Sequence, residues 1–159
     1  MPSPERTRDA PNQLIELDPE RARRAKRVPC AVVDIGSNSV RLVVYDQLGR
    51  VPFPRFNEKS MCRLAEGLDE SGELSAESSR CTLVATRRFR SVADAMGVGK
   101  IDVLATEAMR RASNSERLVS AIAEQAGLNV RVLSGEQEAY YAALGVVAGV
   151  PPAVVETPS

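Results

Sequence analysis

Residues 30–46 read CAVVDIGSNSVRLVVYD, and no other stretch of the chain restricts the fold as tightly. Two β-branched runs, Cys30–Ile35 and Ser39–Tyr45, flank Gly36-Ser37-Asn38, which predicts two strands joined by a tight turn. An aspartate, Asp34, stands at the end of the first apolar run and is followed by Gly and three small hydrogen-bonding residues. Backbone N–H groups converge in such a bend and form a nest for phosphate oxygens, with Ser37, Asn38 and Ser39 adding side-chain donors. Gly36 lets a ligand approach the backbone closely. Asp34 would face that phosphate as an oxygen ligand for Mg²⁺, a hard cation. An ordinary hairpin turn uses the same residue types, so the local pattern leaves a plain turn open beside an anion site.

Composition removes most other chemistries. The 159 residues suit one domain, or one lobe of a larger protein, and 43% hydrophobic content is enough for a buried core. No histidine is present, which excludes a Ser-His-Asp triad, a Cys-His dyad and every His-ligated metal site within the chain. No window approaches the roughly 18 apolar residues of a membrane span. Lys+Arg and Asp+Glu both number 21, so net charge gives no general attraction to DNA, RNA or anionic lipid. All the basic residues but Lys26, Lys59 and Lys100 are arginine, the side chain suited to bidentate phosphate recognition. Cys30, Cys62 and Cys81 show no C-x-x-C spacing and read as buried thiols of a reducing cytoplasm. Residues 1–28, with Arg21, Arg23, Arg24, Lys26 and Arg27, read as a solvated, poorly ordered leader, a polyanion contact being the alternative. The apolar stretch that follows is too short, and is broken by Asp34, for a signal peptide.

Along the chain, Gln47–Arg50 predicts a second turn, and a third strand falls within 56–64. Gly67–Gly72 reads as a polar loop. Ser75 or Ser71 would cap a long helix ending near Met96-Gly97, with Cys81, Val84, Ala85, Phe89, Val92 and Met96 as its apolar stripe. A short strand over Lys100–Ala105 follows. Asn114 or Ser113 would then cap a helix over Ser115–Ala126, which Gly127 stops. Asn129–Leu133 reads as another strand, and Gly135 opens a third helix running to about Ala148. The order is β-β-β-α-β-α-β-α, an α/β lobe with a mixed sheet and helices packed on it.

Taken whole, VVDIGSNSVRLVVYD resembles the first phosphate loop of the exopolyphosphatase / guanosine pentaphosphate phosphohydrolase (Ppx/GppA) family, D-[IL]-G-[ST]-N-S-x-[RHK]-[LM]. Residues 105–114, ATEAMRRASN, resemble that family's A-T-x-A-x-R-x-A-x-N segment. Residues 132–139, VLSGEQEA, resemble its V-I-S-G-x-x-E-A segment. Three motifs in order, covering about residues 30–149, are specific together where each is weak alone. The resemblance implies a ribonuclease-H-like lobe of the actin-like ATPase superfamily, spanning residues 29–149. It implies release of terminal phosphate from inorganic polyphosphate or pppGpp. Glu138 would be the general base, Gly36, Ser37, Asn38, Ser39 and Arg110 would bind phosphate, and Asp34 would hold Mg²⁺. Arg111 and Glu136 fall on positions the family pattern leaves variable.

The family's second glycine-rich loop, D-x-G-G-G-S, has no counterpart in residues 149–159, so residues 150–159 read as a truncated tail and the second lobe as missing. Hydrolysis clamps developing charge from both sides of a closed cleft, so these 159 residues alone should turn over little or not at all. The competing reading is a non-catalytic module that binds a phosphate or nucleotide. A kinase or ATPase lobe of the same superfamily fits the S-G-x-x-E-A segment less well. The surface that the second lobe would cover leaves room for a homodimer. Gly97-Val98-Gly99-Lys100 is not a Walker A loop, because Asp94 and Ile101 stand at its required glycine and hydroxyl positions.

Overall fold

The computed structural model describes residues 28–46 and 53–149. The expected leader (1–28) and the tail (150–159) lie, but for Val28, outside the described residues, as does the expected turn at Gln47–Arg50. The chain forms β1 (Cys30–Ile35), β2 (Ser39–Tyr45), β3 (Pro54–Met61), α1 (Leu68–Ser71), α2 (Ala76–Ala95), β4 (Lys100–Ala105), α3 (Glu107–Arg111), α4 (Ser115–Ala126), β5 (Val130–Val132) and α5 (Gly135–Gly149). The strands make one mixed sheet in the order β3-β2-β1-β4-β5. The pairs β1/β2 and β2/β3 are antiparallel, and β1/β4 and β4/β5 are parallel.

Strict alternation in β1 and β2 decides which face of the sheet is buried. Ala31, Val33 and Ile35 lie opposite Val44, Leu42 and Val40 in register, and all six are buried. Each fully buried branched aliphatic side chain contributes roughly 1.5–3 kcal/mol. The residues between them point the other way, so Asp34 and its cross-strand partner Arg41 share the opposite, exposed face. Helices α2 and α4 cover the apolar face and pack against each other.

Ser75 caps α2 as expected, its Oγ accepting from the Ser78 N–H at 3.1 Å. The buried face of α2 differs from the expected stripe. It is Ser78, Thr82, Ala85, Thr86, Phe89 and Ala93, whereas Val84 is 59% exposed. Threonine reads as polar, yet the Thr86 hydroxyl donates back to the carbonyls of Thr82 and Leu83, so the helix itself satisfies it in the core. In α4 the expected stripe Leu118, Ile122, Ala126 is buried, and Gly127 ends the helix at φ 62.

Further differences are local. β3 spans Pro54–Met61 rather than reaching Leu64, and β5 is limited to three residues. Residues 67–72 hold the short helix α1, and a second short helix, α3, carries Arg110. The two are pinned to each other: Arg111 of α3 pairs with Asp69 of α1, and the Ser113 N–H donates to the Gly72 carbonyl at 3.0 Å, while an Arg111–Glu107 pair lies within α3 itself. Asn114 stands at the N-cap position of α4, as expected, but its side chain makes no capping bond there. Its side-chain oxygen accepts from the Leu74 N–H at 2.8 Å and its amide donates to the Leu74 carbonyl at 3.0 Å.

The cysteine expectation is also corrected. Cys62 and Cys81 form a disulfide, their Cα atoms 5.4 Å apart, and only Cys30 is a buried free thiol. A separation of 19 residues with no motif gives no hint of such pairing, which is created by the fold. No helix among the described residues is long and apolar enough to cross a membrane.

Candidate functional site

Parallel strands leave the sheet at a common edge, and at that edge three loops meet. The chain turns out of β1 at Gly36, out of β4 at Thr106 and out of β5 at Leu133-Ser134. The Thr106 N–H donates to the Ile35 carbonyl (3.2 Å) and the Leu133 N–H to the Ala105 carbonyl (2.8 Å), which ties the three exits together. In open α/β sheets the carboxyl ends of the strands are where ligands bind.

The β1–β2 turn is closed by the Gly36 N–H donating to the Ser39 carbonyl at 3.0 Å. A second segment braces it from behind. The Ala65 N–H donates to the Ser37 carbonyl and the Arg63 N–H to the Asn38 carbonyl, both at 2.9 Å. With those carbonyls engaged on one side, the N–H groups of Ser37 and Asn38 have no acceptor among the described residues. Arg63 holds a left-handed backbone, φ 49, in making this brace. Gly36 has no positive φ, and a methyl group there would meet the Ser39 carbonyl oxygen at 3.4 Å, an ordinary contact. The chain's own packing therefore does not demand glycine at this position.

On the neighbouring exits sit the charged groups. Ser134 opens α5 with a reciprocal capping box: the Gln137 N–H donates to Ser134 Oγ (3.1 Å) and the Ser134 N–H to Gln137 Oε1 (3.0 Å). This fixes the first turn and with it Glu138, which is half-buried while Glu136 is exposed. Arg110 donates from Nη1 to the Leu133 carbonyl at 2.7 Å, and the same nitrogen lies 3.5 Å from Glu138 Oε2. Arg111 turns away toward Asp69 and Glu107. Burial pushes the Asp34 carboxyl above its usual range, the nearby Glu138 adds to the rise, and Arg41 opposes it.

The structure thus brings together what the sequence marks. Asp34, the Gly36–Ser39 turn, Arg110 and Glu138 all lie at one edge, with Asp34 within electrostatic reach of Glu138 and Arg110 beside it. A hard divalent cation would suit the two carboxylates, since its charge would offset both the burial that chiefly raises Asp34 and the smaller repulsion from Glu138. No group of three or more Asp, Glu or Cys side chains with metal-binding geometry occurs among the described residues. Mg²⁺ commonly binds through one or two carboxylates together with waters and substrate phosphates, so the pair fits it. Gln137 and the 63–65 backbone escape the sequence reading, and Arg41 and Asn114, which lie within its motifs, take part in ways it does not assign. The S-x-x-Q spacing would have revealed Gln137, whereas the brace and the Asn114 grip are long-range contacts with no local signal.

The model of the Ppx/GppA phosphatase family matches residues 43–156, beginning just after the β1–β2 turn. Exopolyphosphatase 1 of Mycobacterium tuberculosis is 34% identical over 116 residues, which is 72% of this chain and 34% of that protein. The Mycobacterium leprae protein of the same name is 31% identical over the same length. The chain therefore spans about a third of the length of the curated relatives it matches. Among solved structures, an Aquifex aeolicus Ppx/GppA family member superposes with a TM-score of 0.73 at 30% identity, covering 79% of this chain and 41% of that one. An exopolyphosphatase from Cytophaga hutchinsonii gives 0.72 at 29% identity, covering 77% and 39%.

Proposed function

The chain belongs to the Ppx/GppA phosphatase family, and from that membership we propose that it is a lobe of a phosphoanhydride hydrolase that releases terminal phosphate from inorganic polyphosphate or pppGpp. The observation that carries this reading is that Glu138 stands 3.5 Å from Arg110 and within electrostatic reach of Asp34, at the edge where the β1–β2 turn presents unpaired N–H groups. Glu138 takes the proton of the attacking water as general base. The Ser37 and Asn38 N–H groups and the hydroxyls of Ser37 and Ser39 orient the terminal phosphate, with Gly36 admitting it against the backbone. Arg110 is held by the Leu133 carbonyl with donors left over for phosphate oxygen. Asp34, beside Glu138, would hold Mg²⁺, which supplies charge neutralisation of the phosphate when bound. The Arg110–Glu138 pair is loose at 3.5 Å and half-exposed, so substrate can compete for the guanidinium.

The 159 residues by themselves are expected to bind phosphate with little or no turnover. A phosphate-release assay with polyphosphate and pppGpp tests this, with Glu138→Gln as control; robust release that depends on Glu138 overturns it. Grafting residues 30–149 in place of the matching segment of a mycobacterial exopolyphosphatase tests the enzyme reading itself. Hydrolysis by the graft, reduced about 10²–10⁴-fold by Glu138→Gln, supports it. Binding of Mg²⁺-tripolyphosphate with no hydrolysis in the graft favours the non-catalytic module instead.

A further inference from the structure

The disulfide sits where it can act on the anion turn. Cys62 follows β3 directly and is followed by Arg63 and Ala65, whose N–H groups hold the Asn38 and Ser37 carbonyls. Cys81 lies on α2, the long helix that packs on the core face of β1 and β2. The bond therefore ties to α2 the end of the brace that continues from β3, whose own pairing with β2 runs to Met61 opposite Ser39. The other end is anchored without it, by Asn114 gripping Leu74 and by Arg111 pairing with Asp69. Between these anchors, the brace reaches the turn through two backbone hydrogen bonds, with Leu64 buried in the core beneath them. We propose that Cys62–Cys81 is a thiol–disulfide switch that sets how firmly segment 62–65 holds the β1–β2 turn, and through it the affinity of that turn for phosphate.

The chemistry balances as two exchanges with a small-molecule disulfide. The Cys81 thiolate attacks one sulfur of the reagent and expels one thiol, leaving a mixed disulfide. The Cys62 thiolate then attacks the Cys81 sulfur and expels the second thiol, so two protein thiols become one bond and the reagent is reduced to two thiols. Access favours this order. Cys81 is partly exposed at a cleft bordered by Ser60, Glu77, Arg80 and Arg88, whereas Cys62 is 5% exposed. Cys30 stands apart, because burial and then Asp102 push its thiol up and make it a poor nucleophile. The affinity half of the proposal rests on the phosphate-site reading above; the mechanical half does not.

The test uses the full 159-residue chain without substitution, equilibrated in buffers of glutathione and glutathione disulfide. Alkylation and intact-mass measurement should find a closed form lighter by two hydrogens with one alkylatable thiol, Cys30. Amide hydrogen exchange at Arg63 and Ala65 should be about tenfold faster or more in the reduced chain. Mg²⁺-tripolyphosphate should bind the reduced chain several-fold more weakly, and Cys81→Ser should bind equally in both buffers. Failure of the pair to close at any ratio overturns the proposal, and so does identical exchange at Arg63 and Ala65 in both forms. If exchange responds but neither form binds tripolyphosphate, the switch on the turn stands and the phosphate-site reading fails.

Discussion

The two sides of the candidate site are held in opposite ways. The β1–β2 turn grows from the two most deeply buried strands of the molecule, and a second segment, itself cross-linked and clamped, supports it from behind. Glu138 instead rides on α5, a helix whose Tyr140, Tyr141, Leu144 and Val146 are all exposed, 69% in the case of Val146. Its attachment is concentrated at the N-terminal end, in the Ser134–Gln137 box, the Arg110 bond to Leu133, and Arg131 stacked 5.5 Å from the Tyr141 ring. The turn is thus braced by the core, while Glu138 is set by a few polar contacts. Substitutions on the two sides should separate stability from positioning.

The largest stability effect is expected from the cross-link. Opening a loop of this size with Cys81→Ser, under oxidising conditions, should cost about 3 kcal/mol in urea unfolding. Next, Asn114→Ala removes both hydrogen bonds to Leu74 and strands a buried backbone pair, for about 1–3 kcal/mol by the same measurement. A loss as small as that of an exposed surface substitution would show that the brace does not depend on its far anchor. Ser134→Ala should cost only about 1 kcal/mol globally. Its main effect should instead be local, seen as lost amide protection in the first turn of α5 while that of β1 is unchanged. If β1 loosens equally, the two sides are not independent.

The smallest effect concerns Asp34. Its carboxyl titrates above the ordinary range in the folded chain, so the folded state holds that proton at pH values where the unfolded state has released it. Stability contributed through Asp34 therefore rises as pH falls through the raised value and is lower above it. Asp34→Asn should flatten this dependence and slightly raise the melting temperature at neutral pH without Mg²⁺. A fall in melting temperature would mean that its attraction to Arg41 outweighs its burial and the repulsion from Glu138.

How much of this was legible follows from where each contact lies in the chain. β1, β2, α2 and α4 coincide with their expected spans because alternation, stripes and caps are local signals: Ser75 before α2, Gly127 after α4. The short helices α1 and α3 were invisible, since a single turn does not stand on propensity and these two rest on Arg111, Asp69 and Gly72 meeting in space. Glu138 and Arg110 are set apart from Glu136 and Arg111 in the sequence only by motif register, and in the structure the two pairs also differ in surroundings. Glu138 is half-buried beside Arg110, while Arg111 is spent on Asp69 and Glu107. The Cys62–Cys81 pairing had no local signature at all.

The margins of the sheet carry a consequence of their own. On one flank β3 begins with Pro54, which lacks an N–H, and shows Arg55 and Lys59 to solvent; on the other, β5 offers three residues. Neither flank makes a good template for a foreign strand. Growth of the sheet by lateral accretion is discouraged on both flanks, and any further mass is steered toward the strand ends and the face that no described helix covers, where Asp34 already waits.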